Sequence, residues 1–202
     1  DKPRKRKYFY SIDLQGRVFV EDVLPKNIAT SLKNTAFLDF FFSNLKECAD
    51  RDLNLLPATV REDYPYVSHC GVERNFVRPA DAVIVFHSLE HNATSDKIQL
   101  CFGGTLHQDF DPSCLAISIK TGRLYHQLIG DGTKLHQQSN GSNFGLVKSS
   151  VAVTLSDQMM PCDDDDEKES GVEFVVDETR YPICWLPQNA EPGQWSMPFV
   201  EK

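Results

Sequence analysis

Apolar and polar positions alternate from the start of the chain. In YFYSID, Tyr8, Tyr10 and Ile12 take one side, while Phe9, Ser11 and Asp13 take the other; LQG then turns and RVFVED returns. A period of two on both sides of a glycine-bearing turn predicts a β-hairpin, with Gly16 supplying a positive φ. Aromatic residues on both sides predict a strand covered on both faces. Pro25 predicts the opening of a short helix, because a missing N–H does no harm at the first helical position. From Asn34, a good N-cap, the period changes. Phe37, Phe40, Phe41, Asn44 and Leu45 recur at three- and four-residue spacing, which predicts an amphipathic helix with a phenylalanine-rich core face.

Residues 47–63 are polar and mixed, a loop with one helical turn. After Tyr64 the text becomes strand-like: YPYVSHC, VERNFVR, AVIVFHSL and IQLCFGG are separated by Gly71, by Pro79–Asp81 and by EHNATSD, and predict an antiparallel meander. CLAISI and RLYHQLI form a second hairpin around KTG, and a Gly-rich loop follows at 130–143. GLVKSSVAVTL reads as helix then strand, or as one long strand. VEFVVDE and YPICWL read as a closing strand pair. The predicted class is α+β, with helices early and antiparallel strands later. Both hairpins turn at Gly-Arg, an echo compatible with two similar sheet-and-helix subdomains. The expected organisation is a basic tail at 1–7, an α+β domain at 8–156 with a subdivision near 90–105, an acidic insertion at 157–170, and a strand pair and tail at 171–202.

Composition is that of an ordinary globular chain: 41% hydrophobic and 25% charged over 202 residues, with a formal charge of −8. The charge is uneven. Residues 1–7 hold five basic residues and one acid, whereas residues 163–178 hold nine acids and one lysine. The body is therefore no basic nucleic-acid binder, although Arg4, Lys5, Arg6 and Lys7 suit contact with RNA or phosphate. No apolar run is long enough to span a bilayer. The six cysteines form no CxxC pair and read as free thiols in a reducing compartment. A chain beginning at Asp1 is what removal of a targeting segment would leave.

No nucleophile elbow, zincin helix, P-loop or dinucleotide fingerprint is present. His69, Cys70, Cys101, His107 and His126 are the ligands from which a metal site would have to be built. Neighbours such as His69 and Cys70 point to opposite faces of a strand, so only one of them can serve directly, and no metal or cofactor is expected. Cys70 paired with His126 and oriented by Asn75 is the one nucleophilic arrangement the text offers. In CGVERNFVRP, Glu73 and Asn75 alternate with Arg74, Phe76 and Arg78, so one face carries an acid and an amide and the other carries Arg-Phe-Arg. Arg123 is placed to join those arginines. Two readings stay open: an anion-recognising cluster, or a salt-bridge ladder with local acids such as Glu21, Asp22 or Asp81.

The segments YFYSIDLQGRVFVED, FLDFFFSNL, YPYVSHCGVERNFVRPADAVIVF, GRLYH and GLVKSSVAVTLS occur in an order that resembles an uncharacterised eukaryotic family of mitochondrial proteins, whose human member is a chromosome 8 open-reading-frame product. The resemblance covers residues 7–156 and departs from the family pattern at Ser68-His69 and at Gln127. A fainter similarity connects it to a bacterial domain of unknown function with repeated sheet-and-helix units. The resemblance implies the mitochondrial matrix and supplies no reaction. Cys70, Glu73, Arg74, Asn75, Arg78, Arg123, Tyr125 and His126 match its motifs and are carried over as candidate site residues.

These readings lead to a non-enzymatic binding module, a component or assembly factor of a larger mitochondrial complex. The mitochondrial ribosome comes first among candidate complexes, with protein partners on the body and RNA at the basic tail. A small-anion sensor built on Arg74, Arg78 and Arg123 is one alternative. A cysteine- or metal-dependent enzyme is the other.

Overall fold

The computed structural model describes residues 6–129, 134–135, 144–162 and 171–187. The basic residues before Arg6, most of the 130–143 loop, the core of the acidic insertion and the C-terminal tail lie outside those residues. Among the described residues sixteen strands form two five-stranded and two three-stranded sheets, with a few short helices that include the expected Phe-rich early one, so the chain is α+β with strand predominating.

The first sheet runs β2 (Val18–Val20), β1 (Arg6–Ile12), β5 (Glu73–Pro79), β4 (Tyr66–Cys70), β3 (Leu45–Glu47). The β1–β2 hairpin forms as the alternation predicts, with Gly16 at φ +80°. Its neighbour is less local. β1 pairs in parallel with β5, Tyr8 opposite Asn75 and Tyr10 opposite Val77. The second sheet runs β16 (Cys184–Leu186), β10 (Leu115–Ser118), β11 (Leu124–Gln127), β12 (Phe144–Val147), β6 (Val85–Phe86), again with parallel pairs at β12–β6 and β10–β16. The sheets are therefore mixed where alternation alone predicted antiparallel order. β7 (Ser88–Asn92), β8 (Lys97–Phe102) and β9 (Leu106–Asp109) form one small sheet, and β13 (Met159–Pro161), β14 (Val172–Val176) and β15 (Thr179–Pro182) form the other.

One topology occurs twice. β1 leads through an excursion to the meander β3–β4–β5 and lies parallel to its last strand; β6 leads through β7–β9 to the meander β10–β11–β12 and lies parallel to its last strand. The Gly-Arg hairpins occupy different places in the two units, so their likeness does not trace this repeat.

Helix α1 (Thr35–Ser43) starts as predicted, the Asn34 side chain accepting from the Phe37 amide at 2.8 Å. Its buried face is Leu38, Phe41 and Phe42, followed by Leu45 in β3, while Phe40 is half exposed. The predicted stripe is thus rotated by about one position: Tyr10 meets Phe37 and Phe41, but Phe42, outside that stripe, is drawn in against Phe102 of β8. Pro25 opens no helix. The Asn27 carboxamide accepts from the amides of Ala29 and Thr30, and Thr30 Oγ1 bonds the Pro25 carbonyl, closing turns instead. α2 (Asp50–Leu53) is the single turn expected in the polar loop. GLVKSSVAVTL reverses the expected order: β12 comes first, every residue buried, and α3 (Ser149–Ser156) follows with Val151 and Leu155 buried one turn apart. The closing strands also divide, YPICWL giving β15 to one sheet and β16 to another.

Aromatic contacts join all four sheets. Tyr10 meets Phe41, Phe41 meets Phe42, Phe42 meets Phe102, Phe102 meets Phe86, Phe86 meets His126, His126 meets Phe110, and Phe110 meets Phe174, with centroid separations between 5.3 and 6.2 Å. A second cluster, Leu56, Tyr64, Val67 and Phe76 with Phe9, covers the other face of the first sheet. No helix among the described residues is long and apolar enough to cross a membrane.

At Gly145 a Cβ would lie 2.5 Å from Cε2 of Phe86, whose ring is fully buried. Gly145→Ala is expected to destabilise the fold by about 1–3 kcal/mol through overpacking, read as a lower urea midpoint at unchanged slope.

Candidate functional site

The segment CGVERNFVRP forms the end of β4, a tight turn with Gly71 at φ +60°, and the whole of β5. Register assigns its side chains to two faces. The first face carries Ser68, Cys70, Glu73 and Asn75. Ser68 Oγ donates to the Phe41 carbonyl at 2.8 Å, fixing the sheet to α1. Asn75, 1% exposed, places Nδ2 3.0 Å from Cys70 Sγ, so the predicted Cys70–Asn75 contact forms. The predicted base is absent from it. His126 is fully buried in the second sheet, with Nδ1 at 2.7 Å from the Gln127 carbonyl and Nε2 at 3.1 Å from the Asp111 amide and 3.0 Å from its carbonyl. Burial pushes its pKa down to about 4, against the pull of the two carbonyls, so it is a neutral packing residue at physiological pH.

The second face carries a row of basic side chains. Lys7 on β1 lies opposite Arg74 on β5, Arg74 lies opposite His69 on β4, and Lys46 on β3 is on the same side of the sheet. Helix α2 sets Asp52 beneath them, 1% exposed; its Oδ1 is 2.9 Å from His69 Nε2 and 3.7 Å from Arg74 Nε. Arg74 Nη1 also donates to the carbonyls of Gly71 and Glu73, and Lys7 Nζ donates to the Leu55 carbonyl. The other oxygen of Asp52 and the Nε of Arg74 are buried without a hydrogen-bond partner, a local arrangement that leaves polar capacity unused. Burial lowers the pKa of His69, more than Asp52 raises it. The pKa of Lys46 is lowered as well, by burial first, with Arg51, Lys134 and Arg74 repelling it and Asp52 opposing them.

The three predicted arginines do not share a site; each has its own carboxylate. Arg74 approaches Asp52, Arg78 pairs with Glu21 and lies over the Tyr64 ring, and Arg123 pairs with Asp81, which also accepts from Tyr125 Oη at 2.9 Å. Glu21 and Asp81 are the partners that the ladder reading named. Glu73 lies 3.8 Å from Arg6. Arg4 and Lys5 lie outside the described residues. Asp52, Lys46, Arg51 and Lys134 carried no signal in the sequence, since only the fold brings them to Arg74. Cys48, Cys70, Cys101, Cys114 and Cys184 are free thiols, burial pushing Cys48 up to about 12. Among the described residues no group of three or more His, Cys, Asp or Glu is placed to hold a metal.

Residues 1–184 match a family described as "Domain of unknown function (DUF4505)". The chain belongs to the DUF4505 family. The DUF4505 match runs past the 7–156 expected from the sequence motifs and takes in the basic start, the acidic insertion and β13–β15. Two solved structures are similar to this DUF4505 chain. A DUF1285 family protein from Silicibacter pomeroyi has 15% identity and a TM-score of 0.48, covering 87% of this chain and 79% of its own. A DUF1285 family protein from Shewanella baltica has 16% identity and a TM-score of 0.42, covering 73% of this chain and 90% of its own.

The depressed pKa of His126 makes stability depend on pH with a defined sign. Above about 6.5 both states hold it neutral. As pH falls toward 4 the unfolded chain takes up a proton that the folded one refuses, and stability drops by roughly 3 kcal/mol; His69 acts in the same direction. In His126→Gln, the fall in unfolding free energy between pH 6.5 and 4.5 is expected to be shallower than in the parent, measured by denaturant titration at each pH.

Proposed function

We propose that this DUF4505 protein is a non-enzymatic binding module of the mitochondrial matrix, working within a larger ribonucleoprotein complex such as the mitochondrial ribosome. In this reading it holds RNA phosphates at the basic edge of its first sheet. The observation that carries the reading is the crowding of Lys46, Arg51, Arg74 and Lys134 beside the start of β1, in a chain whose net charge is −8. Arg51, Lys134 and Arg74, from separate parts of the sequence, each repel Lys46, and Asp52 is the largest single charge opposing them. An external anion beside these cations adds to what Asp52 supplies. Lys7 lies opposite Arg74, so Arg6 and Lys7 at the start of β1 add to the positive surface at this edge. Lys7, Arg51 and Lys134 are exposed, as phosphate contacts must be, whereas Arg74 is largely covered and acts by position. The matrix location rests on the family resemblance of the sequence motifs.

The test is binding of a fluorescein-labelled oligouridylate to the full chain over a range of KCl concentrations. With about four phosphates neutralised, the slope of log K against log salt is expected near −3. Arg51→Gln, Lys134→Gln and Lys7→Gln are each expected to reduce its magnitude by somewhat under about 1. Absence of binding at low salt, or a slope that ignores all three substitutions, overturns the proposal.

A further inference from the structure

The opposite end of the β1–β5 pair holds a different site. Six residues along these parallel strands, about 20 Å from the basic edge at 3.3 Å per residue, a cleft of about 370 Å³ opens where β1 and β5 end. That volume lies in the range of small-ligand sites. Phe19, which shares a face of the sheet with Ser11 and Arg78, gives it an apolar wall, Ile12 and Pro79 line it at the strand ends, and Lys26 and Arg78 bring two cations to it.

The polar capacity of this cleft is one-sided. Asp13 is its one acidic lining residue, and its acceptor positions are taken. Oδ1 accepts from the amides of Gln15 and Arg17 at 2.9 Å each, and Oδ2 accepts from Arg17 Nε at 2.7 Å with Arg17 Nη2 at 2.6 Å. Glu21 holds Lys26 through one oxygen and Arg78 through the other, yet is not among the lining residues. Burial pushes its pKa up, but the hydrogen bonds from Lys26, Ser11 and Arg78 together outweigh that push and lower it, so it stays ionised at neutral pH. Each cation spends one N–H direction on Glu21, whereas an ammonium offers three donors and a guanidinium five. Lys26, Arg78 and Glu21 together carry one net positive charge.

The geometry points to this cleft as a binding site for a small organic monocarboxylate, its carboxylate between Lys26 and Arg78 and its apolar body against Phe19 and the strand ends at Ile12 and Pro79. Glu21 acts as a brace that positions both cations before the ligand arrives. This site is separate from the RNA-binding edge and does not depend on it.

The test is an amide chemical-shift titration of the ¹⁵N-labelled full chain with 3-phenylpropionate, with 3-phenylpropionamide and inorganic phosphate as controls. Saturable shifts confined to the amides of residues 11–13, 19, 78 and 80 are expected with the carboxylate at about millimolar concentration, and only weak shifts with the amide or with phosphate. Lys26→Gln, in an exposed turn, is expected to weaken binding about tenfold, as is Arg78→Gln; Arg78→Lys, which keeps the charge, separates loss of the fork from loss of the fold. No saturable shift with the carboxylate, equal shifts with the amide, equally strong phosphate binding, or a response unchanged in both Lys26→Gln and Arg78→Gln overturns the assignment.

Discussion

Phe86 has no accessible surface, and its ring meets Phe102 on one side, His126 on another, and the backbone of Gly145 edge-on. Through it the aromatic contacts run from Tyr10 in the first sheet to Phe174 in the last. Two- and three-stranded pieces such as β6–β12 and β7–β9 have too little paired backbone to stand alone. They persist because this shared apolar seam covers one face of each. The constraint explains residues that are otherwise puzzling: a glycine inside a buried strand, and an imidazole in the core whose nitrogens bond main-chain groups.

With the interior so apolar, charge is handled at the margins and in pairs. Asp52, Asp81 and Glu21 each sit low in the surface and each answers an arginine from β5 or from the second hairpin. Such pairs add modestly to stability, but they decide which cations remain available. Arg123 is tied to a buried acid that also accepts from Tyr125. Arg78 and Lys26 share one acid and keep donors to spare. At the basic edge cations outnumber the nearby buried acid. Binding capacity in this protein follows from that uneven distribution rather than from the number of arginines in the motif.

The motif CGVERNFVRP was legible as a strand with two chemical faces, and Gly71 as its turn. Asn75 did reach Cys70, because the two face the same side across a hairpin with a two-residue turn, where register follows from local geometry. His126 did not complete that pair, since nothing local sets the distance between β4 and β11. The helix stripe was displaced by one residue for a related reason: Phe37, Phe40, Phe41 and Phe42 satisfy more than one helical face, and the distant Phe102, which packs on Phe42, chooses between them.

The sequence by itself determined the β1–β2 and β10–β11 hairpins, the N-cap at Asn34, the aromatic supply of the core and the concentration of basic charge at the start of the chain. Each depends on residues within a few positions of one another, where backbone dihedral preference and side-chain period dominate. Tertiary structure alone decided that β1 lies beside β5 and β6 beside β12, that FGLV is a strand before a helix, that each arginine meets a different acid, and that Arg51, Arg74 and Lys134 gather around Lys46. Those outcomes depend on which distant segments bury one another's apolar faces. That choice is made by packing of the whole chain, and no local run of residues encodes it.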